Sequence, residues 1–265
     1  MTATSNQIKS KVWNKKQEYP LTPESLKMLL ENQIPLIRLK QFATPQECEM
    51  LVNQAELFNF DCYQNVNPKI ERIGITVFEY NRISKAAYFQ AVERTTKLRD
   101  CIMAASFNPL ERLMVKIREC TGATVRIASE PLYGSYYAGL IRKIEQGTQL
   151  HIDYAPLEQS KWEIGTVIYQ LSWNLYLKFS PNNHGQTRIY DRQWQPGDEQ
   201  YKLDSYGYGD TVIADADAIA FQPYVGDVFI FNTRNYHTVE PMDGQRVTFT
   251  SAIGLLPNGE IILWS

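Results

Sequence analysis

His151-Ile152-Asp153, a distant His237 and then Arg246-x-Thr248 are the residues whose types and spacing could do chemistry here. Two imidazoles and one carboxylate can cap one face of an octahedral ion and leave the opposite face open, the donor set of a non-haem iron(II) site. The open face carries the chemistry, because a co-substrate and dioxygen must both reach the metal. On a strand, residues i and i+2 project from the same side, so His151 and Asp153 can serve one ion if 149–153 is extended. Arg246, Thr248 and Thr250 likewise alternate on one face of a later strand. A guanidinium grips a carboxylate through parallel hydrogen bonds, and a hydroxyl two residues on can add another. If that face is buried, the arginine needs an anionic ligand. The bland alternatives are a His–Asp pair on a sheet surface and an exposed arginine on an edge strand.

The elements that must position these residues divide the chain in two. Thr22-Pro23-Glu24 opens a helix with proline at a tolerated early position, and Thr44-Pro45-Gln46 opens another with Thr44 as the cap and Pro45 at the first helical position. The segment 34–39 reads as a strand with Pro35 near its start, and Cys48, Leu51, Val52 and Ala55 fall at helical spacing. β-Branched and aromatic residues predict a strand over 74–80. From Ser84 to Cys120 the pattern turns helical, with an apolar stripe at Leu110, Leu113, Met114 and Ile117 ahead of Gly122. Beyond Thr124, short β-rich runs alternate with Gly, Pro, Asn and Asp: 124–127, 149–153, 165–177, 187–190, 218–223, 227–231, 238–241, 246–253 and 260–264. This spacing predicts a mainly β protein with flanking helices, a barrel or jelly roll. The domain reading is a partly flexible leader over 1–33, then one domain over 34–265. In it, helices at about 42–120 buttress sheets at about 124–265.

Composition excludes several classes. With 265 residues, 44% hydrophobic, 21% charged and a net charge of −2, the chain carries no electrostatic footprint for nucleic acid or an anionic membrane. The basic stretch around Asn14-Lys15-Lys16 reads as a solvated tail. No apolar run reaches the length of a membrane span, and Met1 to Ser10 lacks a signal-peptide core. Cys48, Cys62, Cys101 and Cys120 have no Cys-x-x-Cys spacing, so free thiols in a cytoplasmic protein are expected. The partner called for is a small molecule; oligomeric state stays open.

Taken in order, His-x-Asp, a long β-rich interval, His and then Arg-x-Thr resembles the iron(II)- and 2-oxoglutarate-dependent oxygenase superfamily. The likeness is to its prolyl-hydroxylase-like and small-molecule hydroxylase branches. Phe42-Ala43-Thr44-Pro45-Gln46-Glu47-Cys48 is similar to the first helix of that branch, and Gly226-Asp227-Val228-Phe229-Ile230-Phe231 to its lead into the second histidine. The resemblance implies a double-stranded β-helix (jelly roll). It implies that His151, Asp153 and His237 bind iron(II), and that Arg246 and Thr248 hold the distal carboxylate of 2-oxoglutarate. Dioxygen would be the other co-substrate and ascorbate a candidate reductant. The implied reaction is hydroxylation of an unactivated C–H of an amino acid or natural-product intermediate, releasing succinate and CO2. Related halogenases replace the carboxylate ligand with a small residue so that chloride can bind, and Asp153 therefore favours hydroxylation.

Two departures stand out. Thr248 replaces the commoner serine, and an insertion is implied around 190–217. That Tyr/Gly/Asp-rich stretch reads equally as a substrate-facing loop or a plain surface excursion. Tyr133, Tyr136, Tyr137 and Arg142 before His151, with Trp162 and Glu163 after it, are expected to line the entrance. Arg126, Arg142 and Arg188 are candidates for a second carboxylate contact. Desaturation, epoxidation or ring closure would need the same ligands, and a halogenase-like oxidation is a further alternative within the family. A cupin-like metal-binding jelly roll, acting as an isomerase or binding protein, is the alternative from another class. Cupins supply more histidines than the three this chain has.

Overall fold

Helices start where threonine and proline said they would. In a computed structural model, which describes Trp13 and residues 17–64, 66–81, 83–180 and 184–265, they span Pro23–Leu30 and Pro45–Ala55. Thr44 Oγ1 accepts from the Glu47 N–H (3.2 Å) and the Glu47 carboxylate accepts from the Thr44 N–H (2.8 Å), a reciprocal cap. Residues 1–12 and 14–16 of the expected tail lie outside the described residues, as do 181–183 before His184. The expected leader is integral from Glu18 onward. Glu18–Tyr19 pairs in parallel with Leu36 and Ile37, and Leu26 and Leu29 of the first helix are buried in the main core.

The expected strand over 74–80 is replaced by a short strand, Glu71–Ile73, and a helical turn, Val77–Tyr80. Glu79 accepts from the Thr76 N–H (3.1 Å) and also pairs with Arg72, so a local cap overrides the β propensity of the run. The helical region divides into Lys85–Met103, capped by Ser84, and Pro109–Thr121, capped by Asn108 and ended by Gly122 at φ 69°. Among the described residues, no helix is long and apolar enough to cross a membrane. All four cysteines are free thiols.

The β region forms two main sheets, the double-stranded β-helix, and a two-stranded ribbon, Ser129–Glu130 with Gly134–Ser135. The larger runs in the order Glu18–Tyr19, Leu36–Leu39, Val228–Asn232, Tyr169–Phe179, Arg246–Leu255, Leu140–Lys143, Glu71–Ile73, Asp61–Cys62. Ile261–Trp264 also pairs with Arg246–Leu255 and carries Val125–Ile127 in parallel. The smaller sheet is Ala218–Phe221, Thr187–Gln193, Asn235–Val239, antiparallel throughout. Strand parity divides the large sheet cleanly. Leu171, Trp173, Leu175, Val247 and Phe249 meet Leu51, Leu113 and Ile117 of the buttressing helices, whereas Ser172, Asn174, Thr248 and Thr250 occupy the alternate positions. Asp227, buried at the turn before Val228, accepts from Arg38 Nε and the Gln41 N–H (both 2.7 Å), tying the first long strand to the one before His237.

Trp173 is the largest fully buried side chain of the outer face, and its indole N–H donates to Ser251 Oγ at 2.6 Å. Trp173→Ala is expected to cost about 3–5 kcal/mol of unfolding free energy, read as a lower urea midpoint. A loss below about 1 kcal/mol would mean that the helices are not close-packed on the sheet.

Candidate metal centre and co-substrate pocket

His151 and His237 face each other across a single antiparallel bridge: each backbone N–H donates to the other's carbonyl, at 3.0 and 2.9 Å. The expected strand over 149–153 is thus reduced to that one bridge, and the Asp153 N–H donates to the Thr233 carbonyl instead (2.9 Å). His237 lies in the middle of Asn235–Val239, not at its start. The ligand atoms of His151, Asp153 and His237 lie within 4.8 Å of one another, and His237 Nε2 stands 3.7 Å from Asp153 Oδ2. Each imidazole has Nδ1 beside a carbonyl two residues back, Gln149 for His151 (2.8 Å) and Asn235 for His237 (2.9 Å). A carbonyl only accepts, so Nδ1 carries the proton and Nε2 keeps a lone pair for a metal. Burial pushes the His151 imidazole below its usual range. Burial and then the neighbouring His151 push His237 down to about 3. Both rings are therefore neutral near pH 7, as ligation requires.

Thr250 lines a cavity of about 170 Å³ that also takes in Tyr63, Arg142, His151, Asp153, Glu158 and Tyr206. Two and four residues back on the same face are Thr248 and Arg246, both buried. Arg246 Nη2 donates to Tyr176 Oη and Thr187 Oγ1, each at 3.0 Å, while its Nε and Nη1 and the Thr248 hydroxyl are buried without partners. No carboxylate among the described residues pairs with this guanidinium. A buried cation with two free donors and a free hydroxyl beside it fits the carboxylate of a small dianion.

The remaining expected residues part company. Arg142 is at the cavity, with Nη2 3.4 Å from Thr250 Oγ1 and Nε buried without a partner. Tyr133 is exposed and stacks on Phe89 at 5.2 Å; Tyr137 is fully buried and donates to the Gly139 carbonyl. Trp162 packs edge-on against Tyr88 (5.6 Å), and Tyr136 donates to Glu130. These four form an aromatic cluster outside the cavity lining, which corrects their expected place at the entrance. Arg126 is paired with Glu260 and Arg188 with Glu240, so neither waits for a substrate.

Residues that sequence reasoning missed are Tyr176 and Thr187, which hold Arg246, and Tyr206 and Glu158 in the cavity. Tyr206 comes from the insertion. Its hydroxyl accepts from the Gln149 N–H (2.9 Å), and its ring stands edge-on to His151 at 5.3 Å. The insertion therefore faces the cavity at Tyr206, while its short helical turns Pro196–Tyr201 and Asp210–Ile213 pack outside. Nothing at this tyrosine's own position announces its neighbour.

A double-stranded β-helix that brings His-x-Asp and a second His within 4.8 Å of one another carries the donor set of an oxygenase of the iron(II)/2-oxoglutarate type. The chain belongs to the family described as carrier-protein-independent halogenase WelO5, which it matches over residues 15–256. It is 36% identical over 218 residues to leucinostatins biosynthesis cluster protein S of Purpureocillium lilacinum, covering 76% of this chain and 88% of that one. It is 31% identical over 132 residues to the L-gamma-glutamyl-L-propargylglycine hydroxylase of Streptantibioticus cattleyicolor, 49% of this chain and 48% of that one. The fold is shared with an N-substituted L-amino acid dioxygenase from Burkholderia ambifaria. The TM-score is 0.62 at 12% identity, covering 92% of this chain and 91% of that one.

Proposed function

We propose that this protein is a hydroxylase of an unactivated C–H in a small molecule, with His151, Asp153 and His237 holding iron(II). Arg246 and Thr248 hold the distal carboxylate of 2-oxoglutarate. The observation that carries the reading is the set of unpartnered buried donors at Arg246 and Thr248, on the same strand face that reaches the cavity at Thr250. We read residues from Glu18 onward as one catalytic unit, since that segment completes the sheet and core.

When bound, iron and 2-oxoglutarate supply the oxidising power for the C–H, with succinate and CO2 as co-products. The protein's own residues do the rest. Nδ1–H donation to Gln149 and Asn235 aims both Nε2 atoms at one point. Arg246, steadied by Tyr176 and Thr187, fixes the co-substrate's far end and so sets where its near end lies. The family match is named for a halogenase, yet the carboxylate that leaves no ligand position for chloride is present at Asp153. That residue supports hydroxylation, and the hydroxylase relative agrees in reaction type.

Anaerobic protein given iron(II) and then 2-oxoglutarate is expected to develop a weak visible charge-transfer band. Admission of air is expected to release succinate. Well-folded protein that gives neither would sink the reading. Chloride in the assay is expected to leave products unchlorinated.

A further inference from the structure

Two ionisable side chains at the cavity are not accounted for by the metal or the co-substrate. Arg142 enters from the strand Leu140–Lys143, and Glu158 closes the short helix Ala155–Glu158. Arg142 has no carboxylate partner among the described residues; its bonding is to Thr250 Oγ1, and its Nε is buried and unpaired. Its strand neighbour Arg72 is neutralised by Glu79, so no spare anion comes from that side. Glu158 has no ion pair among the described residues either; its carboxyl accepts from the Gln159 side chain and the Tyr154 backbone. Burial, with the Asp153 charge adding to it, pushes Glu158 up to about 8.

A guanidinium and a carboxyl lining one small cavity can hydrogen-bond whether or not the carboxyl is ionised, and side chains this long ordinarily swing together if they can reach. These two do not meet. A guanidinium whose Nε is buried without a partner is costly, and a ligand that carries the complementary groups and spans the space between them would relieve that cost. A ligand with an anionic end and a donor-bearing nitrogen satisfies both at once. Apolar lining at Val66, Ile70, Val77 and Phe78 leaves room for an aliphatic body.

We propose that the substrate is a small amphoteric molecule of the amino-acid class, its carboxylate held by Arg142 and its amino nitrogen by Glu158. Arg142 and Glu158 are then the residues that decide which molecules are presented to the metal. The inference rests on the oxygenase reading above and names the substrate class of that same site.

The test uses the whole protein with iron(II) and 2-oxoglutarate under anaerobic conditions. The probes are the proteinogenic L-amino acids, their methyl esters and the matching 2-deamino acids. At least one free amino acid is expected to shift the visible band and, in air, to raise succinate release. Its methyl ester and its deamino analogue are each expected to bind about 10- to 100-fold more weakly, the size of a lost charged hydrogen bond. R142Q should abolish the preference for acid over ester, R142K should restore part of it, and E158Q should abolish the preference for the amine. Circular dichroism and an unchanged band before probe addition show that each variant is folded and loaded. If the band forms but no amino acid shifts it, or if esters bind as well as acids, the proposal is overturned. It is equally overturned if R142Q raises the 2-oxoglutarate requirement and leaves amino-acid binding intact, for then Arg142 serves the co-substrate. Failure of the band itself in wild-type protein strikes the oxygenase reading instead, and the two failures are told apart by that observation.

Discussion

Asp153→Ala is expected to cut succinate formation by at least about 100-fold, because groups that merely orient a ligand already cost 10–100-fold. The truncation is clean in principle. The Asp153 backbone is anchored through its N–H to Thr233, independently of the carboxylate, and that side chain is half exposed with no packing role. Two imidazoles then remain on their bridge with one ligand position open. Iron affinity should fall, and chloride, without effect on the wild type, should tighten iron binding in the variant by occupying the vacated position. His151→Ala should lose iron more completely, and chloride should not rescue it, since halide replaces a carboxylate's charge but not an imidazole's placement. Survival of the anaerobic band in either variant would show that the ion sits elsewhere.

Arg246→Ala is expected to weaken 2-oxoglutarate binding by about 2–5 kcal/mol, roughly 30-fold to a few thousand-fold, since it leaves a buried carboxylate without its partner. Iron affinity should not move, because Arg246 touches Tyr176 and Thr187 and none of the three ligands. Arg246→Lys keeps the charge but not the planar fork, so an intermediate loss is expected. Thermal unfolding offers an independent reading. Saturating 2-oxoglutarate, at about 100 times its wild-type dissociation constant, should stabilise the iron-loaded wild type by about 2.7 kcal/mol and the alanine variant by about 0.9 kcal/mol or less. If iron binding collapses with the 2-oxoglutarate site, Arg246 is a structural support and the assignment of the pocket fails.

Much of this arrangement could be read before any coordinates, and the reasons are specific. Metal ligation uses few side-chain types, so His151-x-Asp153 and His237 are conspicuous in a chain with three histidines. Proline after threonine marks Pro45–Ala55 because both residues act within one turn. Contacts set by register across strands were not readable. Tyr176 and Thr187 meet Arg246 only because three strands from two sheets converge there. The strand Leu140–Lys143 escaped notice because Arg142 and Lys143 end it with two charges, hiding its apolar alternation. Tyr133, Tyr137 and Trp162 were misplaced for a chemical reason: aromatic residues near a ligand motif serve a core as readily as a pocket, and here they pack on Tyr88 and Phe89 or bury themselves.

The carbonyls that orient the two histidines come from the main chain of Gln149 and Asn235, two residues behind each ring on its own segment. Any amino acid at those positions presents the same oxygen. The aim of the metal ligands is therefore set by the main chain at those two positions and not by their side chains. Such a site can change its clientele over evolutionary time by altering the cavity walls, while the reacting centre is inherited intact through the backbone.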